Sequence, residues 1–216
     1  MSYDVIVLAA GKGSRFSDDE NKLLYKLKDG TAVIVKTLRT FLNDDLCDRV
    51  VLVASEEIVE EYRKFNAFYG KLVITFGGER RQDSVYSGIL ACTPGKVLIH
   101  DGARPWVNIE DIHRVVDALN DNEAVCLTAK MTDTVKEVKG DKIVDTLDRD
   151  TLRRAQTPQG FDYDAIKEAY KKSIEAGWDC TDDAQLYQKA TGKEVKFIDA
   201  LYPNEKITVY TDVENK

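Results

Sequence analysis

At 216 residues the chain is long enough for one sizeable α/β domain and short for two. Lys and Arg number 31 against 38 Asp and Glu, a formal net charge of −7, which argues against a general nucleic-acid coat while leaving room for a locally positive pocket. No apolar run approaches bilayer length and no N-terminal stretch has the basic, apolar and small-residue order of an export signal, so a cytoplasmic chain without a membrane role is expected.

Asp4 to Ala9, continuously apolar from Val5 on, has the pattern of a parallel strand covered by helices on both faces. A loop with Gly11, Lys12, Gly13, Ser14, Arg15 and Lys22 follows. Thr31 to Leu42 carries apolar residues at helical spacing, although its β-branched content opposes a helix. Arg49 to Ala54 predicts a second strand, Ser55 caps a helix over 56–68, and Lys71 to Phe76 predicts a third strand. Strand, helix, strand, helix, strand is the signature of a doubly wound, mostly parallel sheet.

Gly77 to Ser84 places a glycine pair and two arginines ahead of a helix over 83–92. A short strand over 97–99 then runs into His100-Asp101-Gly102-Ala103-Arg104-Pro105. Both polar clusters fall where a strand stops, the end at which such sheets bind ligands. A helix at 109–119 and a strand at 124–129 come next. Short alternating runs around Lys139-Gly140-Asp141 predict a β-hairpin within 133–147, and it has no place waiting in the sheet. It is expected to project as an arm over 133–154 that a second subunit covers, because an isolated hairpin is marginal; a surface flap on a monomer is the competing reading. Helices at 162–176 and 182–190 and strands at 193–198 and 206–210 complete the pattern of a single domain over 1–216. The four cysteines are spaced neither as a metal knuckle nor as a disulfide framework.

The glycine loop fails both the Walker spacing and the third glycine of the dinucleotide motif. Its cations still suit a triphosphate: Arg15 and Lys22 can neutralise the phosphates and the charge that builds at phosphorus under attack. A surface ion pair for Arg15 and a solvated lysine for Lys22 carry equal weight on physics alone. Asp101 is placed either to hold Mg²⁺ beside nucleotide phosphates or to brace its loop. Neither histidine has a zinc-site partner, and no Ser-His-acid arrangement or nucleophile elbow is present.

These residues resemble the 2-C-methyl-D-erythritol 4-phosphate cytidylyltransferases of the non-mevalonate isoprenoid pathway, over nearly the whole chain. Leu8-Ala9-Ala10-Gly11-x-Gly13-x-Arg15 with Lys22 marks the wider nucleotidyltransferase group with its Rossmann-like sheet. Gly77-Gly78 through Ser84, His100 to Pro105, Asp133-Thr134-Val135-Lys136, Thr157-Pro158-Gln159, Thr181-Asp182-Asp183-Ala184 and Lys206-Ile207-Thr208 narrow it. The resemblance implies that the acceptor's phosphate attacks the α-phosphorus of CTP with Mg²⁺ present and that pyrophosphate leaves. It implies Arg15, Lys22 and Lys206 as catalytic residues. It gives Ala9, Ala10, Gly11, Lys12, Gly13, Ser14, Gly78, Arg81, Asp83 and Ser84 to CTP, and Asp101, Arg104, Thr134, Arg149 and Lys206 to the acceptor. Asp101 is the implied metal ligand, and Thr134 and Arg149 come from the partner's arm in a homodimer.

Two departures from the family stand at the end of the chain. Residues 200–205 replace a glycine-rich approach to Lys206, and the closing helix is expected to be absent or much shortened. Rival readings are a ribitol 5-phosphate cytidylyltransferase and a nucleotide-binding protein without activity; a nucleic-acid-binding module lacks interleaved aromatic and basic residues.

Overall fold

A computed structural model describes residues 2–11, 16, 21–60 and 70–214. The elements in chain order are β1 (Tyr3–Ala9), α1 (Val33–Leu42), β2 (Cys47–Ala54), helical residues 56–60 (α2), β3 (Leu72–Phe76), α3 (Arg81–Ala91), β4 (Lys96–Asp101), α4 (Ile109–Ala118), β5 (Ala124–Lys130), β6 (Val135–Lys139), β7 (Lys142–Leu147), β8 (Arg153–Asp162), α5 (Tyr163–Glu175), α6 (Asp183–Thr191), β9 (Lys196–Asp199) and α7 (Thr211–Glu214). Among the described residues seven strands form one sheet in the order β3-β2-β1-β4-β8-β5-β9, and β6 pairs only with β7. Every pairing in the large sheet is parallel except the two made by β8.

The continuous apolar reading of β1 is explained by its two buried faces. Val5, Val7 and Ala9 pack with Ile34, Leu38 and Phe41 of α1 and Ile112 and Val115 of α4. Ile6 packs on the other face with Val85 and Ile89 of α3, Ile166 and Tyr170 of α5, and Leu186 of α6. The same burial decides α1. Its β-branched residues each cost a few tenths of a kcal/mol of helix propensity, roughly up to 0.7, whereas burying each of Val33, Ile34, Leu38 and Phe41 returns about 1.5–3 kcal/mol.

From β1 the sheet runs one way through β2 to β3 and the other way to β4. The gap between β1 and β4 is therefore the switch point at which a doubly wound sheet opens a crevice beyond its strand ends. Leu8 lies beside Asp101 in that register, and the Gly102 N–H donates to the Leu8 carbonyl at 2.9 Å.

Two expectations are corrected. Residues 206–210 are not a strand: Ile207 is fully buried, and the N–H groups of Thr208 and Val209 donate to the Asp212 carboxylate at 2.7 and 2.9 Å, turning the chain into α7. That helix is described over Thr211–Glu214. Arg153–Asp162, for which the sequence reading gives no strand, is a ten-residue strand between β4 and β5. Its polar residues hide it from a hydrophobic pattern, yet Gln156, Thr157 and Gln159 are all buried. Gln159 is held at both ends of its amide, donating to Asp182 at 3.0 Å and accepting from the Ala184 N–H at 2.8 Å. The predicted helix over 56–68 is described only as far as residue 60.

Candidate active site

The loops after β1 and β3 and the end of β4 enclose a cleft of about 260 Å³, lined by Ala10, Gly11, Lys22, Gly78, Arg81, Ser84, Asp101 and Lys206 among others. It continues past Arg81, Asp101 and Lys206 into a second hollow of about 270 Å³ with Arg104, Gln156 and Thr157, and then into a third of about 370 Å³ reaching Trp106 and Arg154. Lys206 lines all three. A larger depression of about 680 Å³ over α1 and the start of α4 mixes Asp29, Lys36, Arg39, Asp45 and His113 and contains none of the residues singled out from the sequence. The smaller cleft is the better candidate, because convergent cations and backbone at a switch point suit a phosphorylated ligand.

Close backbone approach shapes the nucleotide end. A Cβ on Gly77 would lie 2.2 Å from the Ala10 Cβ and 2.9 Å from Ser84 Oγ, so glycine alone lets the β3 loop meet the β1 loop. Ser84 Oγ in turn accepts the Gly78 N–H at 3.1 Å, fixing the loop that faces the cleft. Ala9 is buried beneath that corner, and Lys12, Gly13, Ser14 and Arg15 lie outside the described residues.

Lys22 and Lys206 are brought to one place from opposite ends of the chain. Lys22 Nζ donates to the Ile207 carbonyl at 3.2 Å, while Lys206 Nζ pairs with Asp101 Oδ2 at 2.9 Å. Arg104 Nε lies 3.4 Å from the same carboxylate oxygen. Burial alone would raise the Asp101 carboxyl, but the nearby charges of Lys206, Arg81 and Arg104 overcome it and hold the group well below the usual carboxylate range. Asp101 is thus ionised at any working pH. Burial drives the His100 pKa down to about 4, so its imidazole is neutral and serves as a hydrogen-bonding strut.

Arg81 reaches the cleft from α3 and is braced from behind. Its guanidinium makes a bidentate pair with the fully buried Asp183, at 2.8 and 2.7 Å, and the Tyr170 hydroxyl donates to the same carboxylate. Burial would weaken its hold on the proton, yet Asp183 raises its pKa and keeps it charged. The sequence reading carries Asp183 only within the Thr181-Asp182-Asp183-Ala184 block at a helix start, with no role of its own, and does not single out Tyr170 or Gln156. A carboxylate two residues past Thr181, next to the Asp182 cap, was the available signal for Asp183.

Asp83 faces the helix start and not the cleft. It accepts the Arg80 N–H at 3.1 Å and pairs with the Arg80 guanidinium at 2.8 Å. Thr134 and Arg149 are exposed, on or beside the hairpin, and line none of the three hollows; Arg149 Nη1 donates to the Thr132 carbonyl at 2.8 Å.

No group of three or more His, Cys, Asp or Glu side chains is placed to hold a metal ion among the described residues. One ionised carboxylate at the mouth of the cleft nevertheless fits Mg²⁺, which keeps several waters and takes its other oxygens from substrate phosphates.

A doubly wound sheet with a cationic, glycine-shaped cleft at its switch point defines a nucleotidyltransferase-type α/β protein. The family described as 2-C-methyl-D-erythritol 4-phosphate cytidylyltransferase matches residues 3–215, and the chain belongs to it. The enzyme of that name from Geobacillus thermodenitrificans is 39% identical across 99% of this chain and 94% of its own, and the one from Prochlorococcus marinus is 39% identical across 97% and 95%. The crystal structure of 4-diphosphocytidyl-2C-methyl-D-erythritol synthase from Anaerococcus prevotii superposes with a TM-score of 0.87 at 31% identity, covering 98% of this chain and 92% of that one.

Proposed function

We propose that this cleft transfers CMP from CTP to 2-C-methyl-D-erythritol 4-phosphate. An oxygen of the acceptor's phosphate attacks the α-phosphorus, the bond to the β-phosphate's bridging oxygen breaks, and pyrophosphate leaves. The observation that carries the reading is the convergence of Lys22, Lys206 and Asp101, remote in sequence, on one cleft. An already anionic phosphate needs no proton removed and no side-chain nucleophile. It needs alignment and cations at the phosphorus where charge develops, and two lysines supply them. Arg15 joins them on the strength of the family resemblance. Gly11, Gly78 and Ser84 bind the nucleotide end of CTP. Arg81 bounds the passage to the hollow in which Arg104 and Lys206 meet the acceptor. Asp101 would hold Mg²⁺ with triphosphate oxygens, and the ion would supply further neutralisation of the phosphates.

The chain acts as a dimer in this reading. Val138, Ile143 and Val144 expose apolar side chains on a hairpin whose strands, among the described residues, pair with each other alone, which supports an arm covered by a second copy. Thr134 and Arg149 then enter the neighbour's acceptor hollow. A cytoplasmic location is supported by four free cysteines and by the absence, among the described residues, of a helix long and apolar enough to cross a membrane.

Pyrophosphate release with CTP, Mg²⁺ and a panel of polyol phosphates tests the activity. Turnover should be greatest with 2-C-methyl-D-erythritol 4-phosphate. Faster turnover of ribitol 5-phosphate would overturn the acceptor, and silence with every acceptor would leave a nucleotide-binding protein.

A further inference from the structure

Behind Asp101 four hydrogen bonds close a circuit, and a fifth ties Asp101 to it. The Asp101 N–H donates to Thr157 Oγ1 at 3.1 Å, which directs the Thr157 hydroxyl hydrogen to His100 Nδ1, also 3.1 Å away. The neutral His100 therefore carries its proton on Nε2, by the logic of the network, and donates it to the Arg104 carbonyl at 3.3 Å. Arg104 Nη1 donates to the Asn204 carbonyl at 2.7 Å. Asn204 Nδ2 donates to the Thr157 carbonyl at 2.6 Å and completes the loop. Three segments are joined in this way: the end of β4, the middle of β8, and the approach to Lys206.

Asn204 is the unusual member. It is 2% exposed within a run whose neighbours Tyr202, Pro203 and Glu205 are all exposed, and its Oδ1 is buried without a partner among the described residues. A residue kept for packing alone would not carry an unsatisfied carbonyl into the interior, where an aliphatic side chain fills the same space without that penalty. What Asn204 supplies is the amide donor. Two residues further on stands Lys206, and the next residue, Ile207, is tied to the Ala103 carbonyl at 2.9 Å. Lys206 is thus held between two anchors on the strand end that carries Asp101.

We infer that Asn204 is a positioning residue that acts through Lys206, locking the ammonium over Asp101 and the α-phosphate site by joining the 204–207 segment to Thr157 and Arg104. The inference rests on the reading of Lys206 as a transfer lysine. The stretch 200–205 keeps the lysine in place by this circuit.

The test is a double-mutant cycle between Asn204→Ala and Lys206→Ala, with kcat and KM for CTP read from pyrophosphate release and folding read from the thermal unfolding midpoint. Asn204→Ala should lower kcat at least about tenfold with KM for CTP changed less than about twofold, and should cost less than about twofold more once Lys206 is already alanine. Asn204→Asp keeps the volume and removes the donor, so it should show the same loss should the alanine variant fold poorly. A wild-type kcat in a folded Asn204 variant, or the same fold-loss in both backgrounds, overturns the inference. If Lys206→Ala alone runs at the wild-type rate, Lys206 leaves the mechanism and the inference leaves with it; a slow Lys206→Ala beside a wild-type Asn204→Ala removes the inference alone.

Discussion

Lys22 shows how a single side chain gains meaning from its place. In sequence it is one lysine after an acidic run, with solvent as good an account as phosphate. In the structure its ammonium lies 3.2 Å from the Ile207 carbonyl, next in sequence to Lys206, and it lines the cleft with Asp101. A cation there gains strength as the α-phosphorus becomes five-coordinate and charge moves to its oxygens, so its loss falls on the transition state. Lys22→Ala should lower kcat at least about tenfold, equivalent to about 1.4 kcal/mol or more, in steady-state pyrophosphate release. An unchanged kcat would remove Lys22 from the chemistry. Asp101 and Arg104 stand out in the sequence because polar residues follow an apolar strand, whereas Lys22 and Lys206 gain their roles through the family resemblance. Tyr170 does not stand out at all and Asp183 only within the Thr181–Ala184 block, since their value lies in an Arg81 contact that spans 102 residues.

At the scale of elements, the parallel half of the sheet was readable and the antiparallel strand was not. β1 and β2 bury both faces and run apolar over Val5–Ala9 and Val50–Ala54, while the edge strand β3 is mostly half-buried, so pattern and structure agree. β8 is built from Arg153-Arg154-Ala155-Gln156-Thr157-Pro158-Gln159-Gly160-Phe161-Asp162, and its Thr157 and Gln159 find partners in His100, the start of α6 and the 204 loop, which no window of sequence reveals. Residues 206–210 erred the other way: Lys-Ile-Thr-Val-Tyr alternates like a strand, but the Asp212 carboxylate captures two of its N–H groups. The contact between the loops after β1 and β3 gives an element-scale prediction. Gly77→Ala places a methyl 2.2 Å from the Ala10 Cβ, and the two loops must part to admit it. Overpacking of this kind costs about 1–3 kcal/mol, and because the strain falls on the cleft wall it should weaken CTP binding by roughly fivefold or more in titration calorimetry. An unaltered affinity in a folded variant would show that the Gly77 contact does not shape the nucleotide site.

For the whole molecule the question is what covers the hairpin. Val138 and Ile143 sit directly opposite each other across β6 and β7 and are 63% and 64% exposed, a pairing that makes little sense in water and good sense against a second copy. Val138→Lys with Ile143→Glu keeps a favourable cross-strand pair, so the hairpin itself survives while its apolar face is lost. Sedimentation should then shift from dimer to monomer, with CTP binding retained and acceptor turnover reduced. An unmoved sedimentation coefficient would place the interface elsewhere. Complementation asks whether the arm also serves the neighbour's chemistry. Arg149→Ala and Lys206→Ala should each be nearly inactive alone. If Arg149 acts across the interface, a heterodimer of the two holds one site with both residues intact, and random reassortment of equal amounts should restore about a quarter of the wild-type sites. If Arg149 serves its own subunit, no combination rebuilds a complete site and the mixture stays as inactive as its parts.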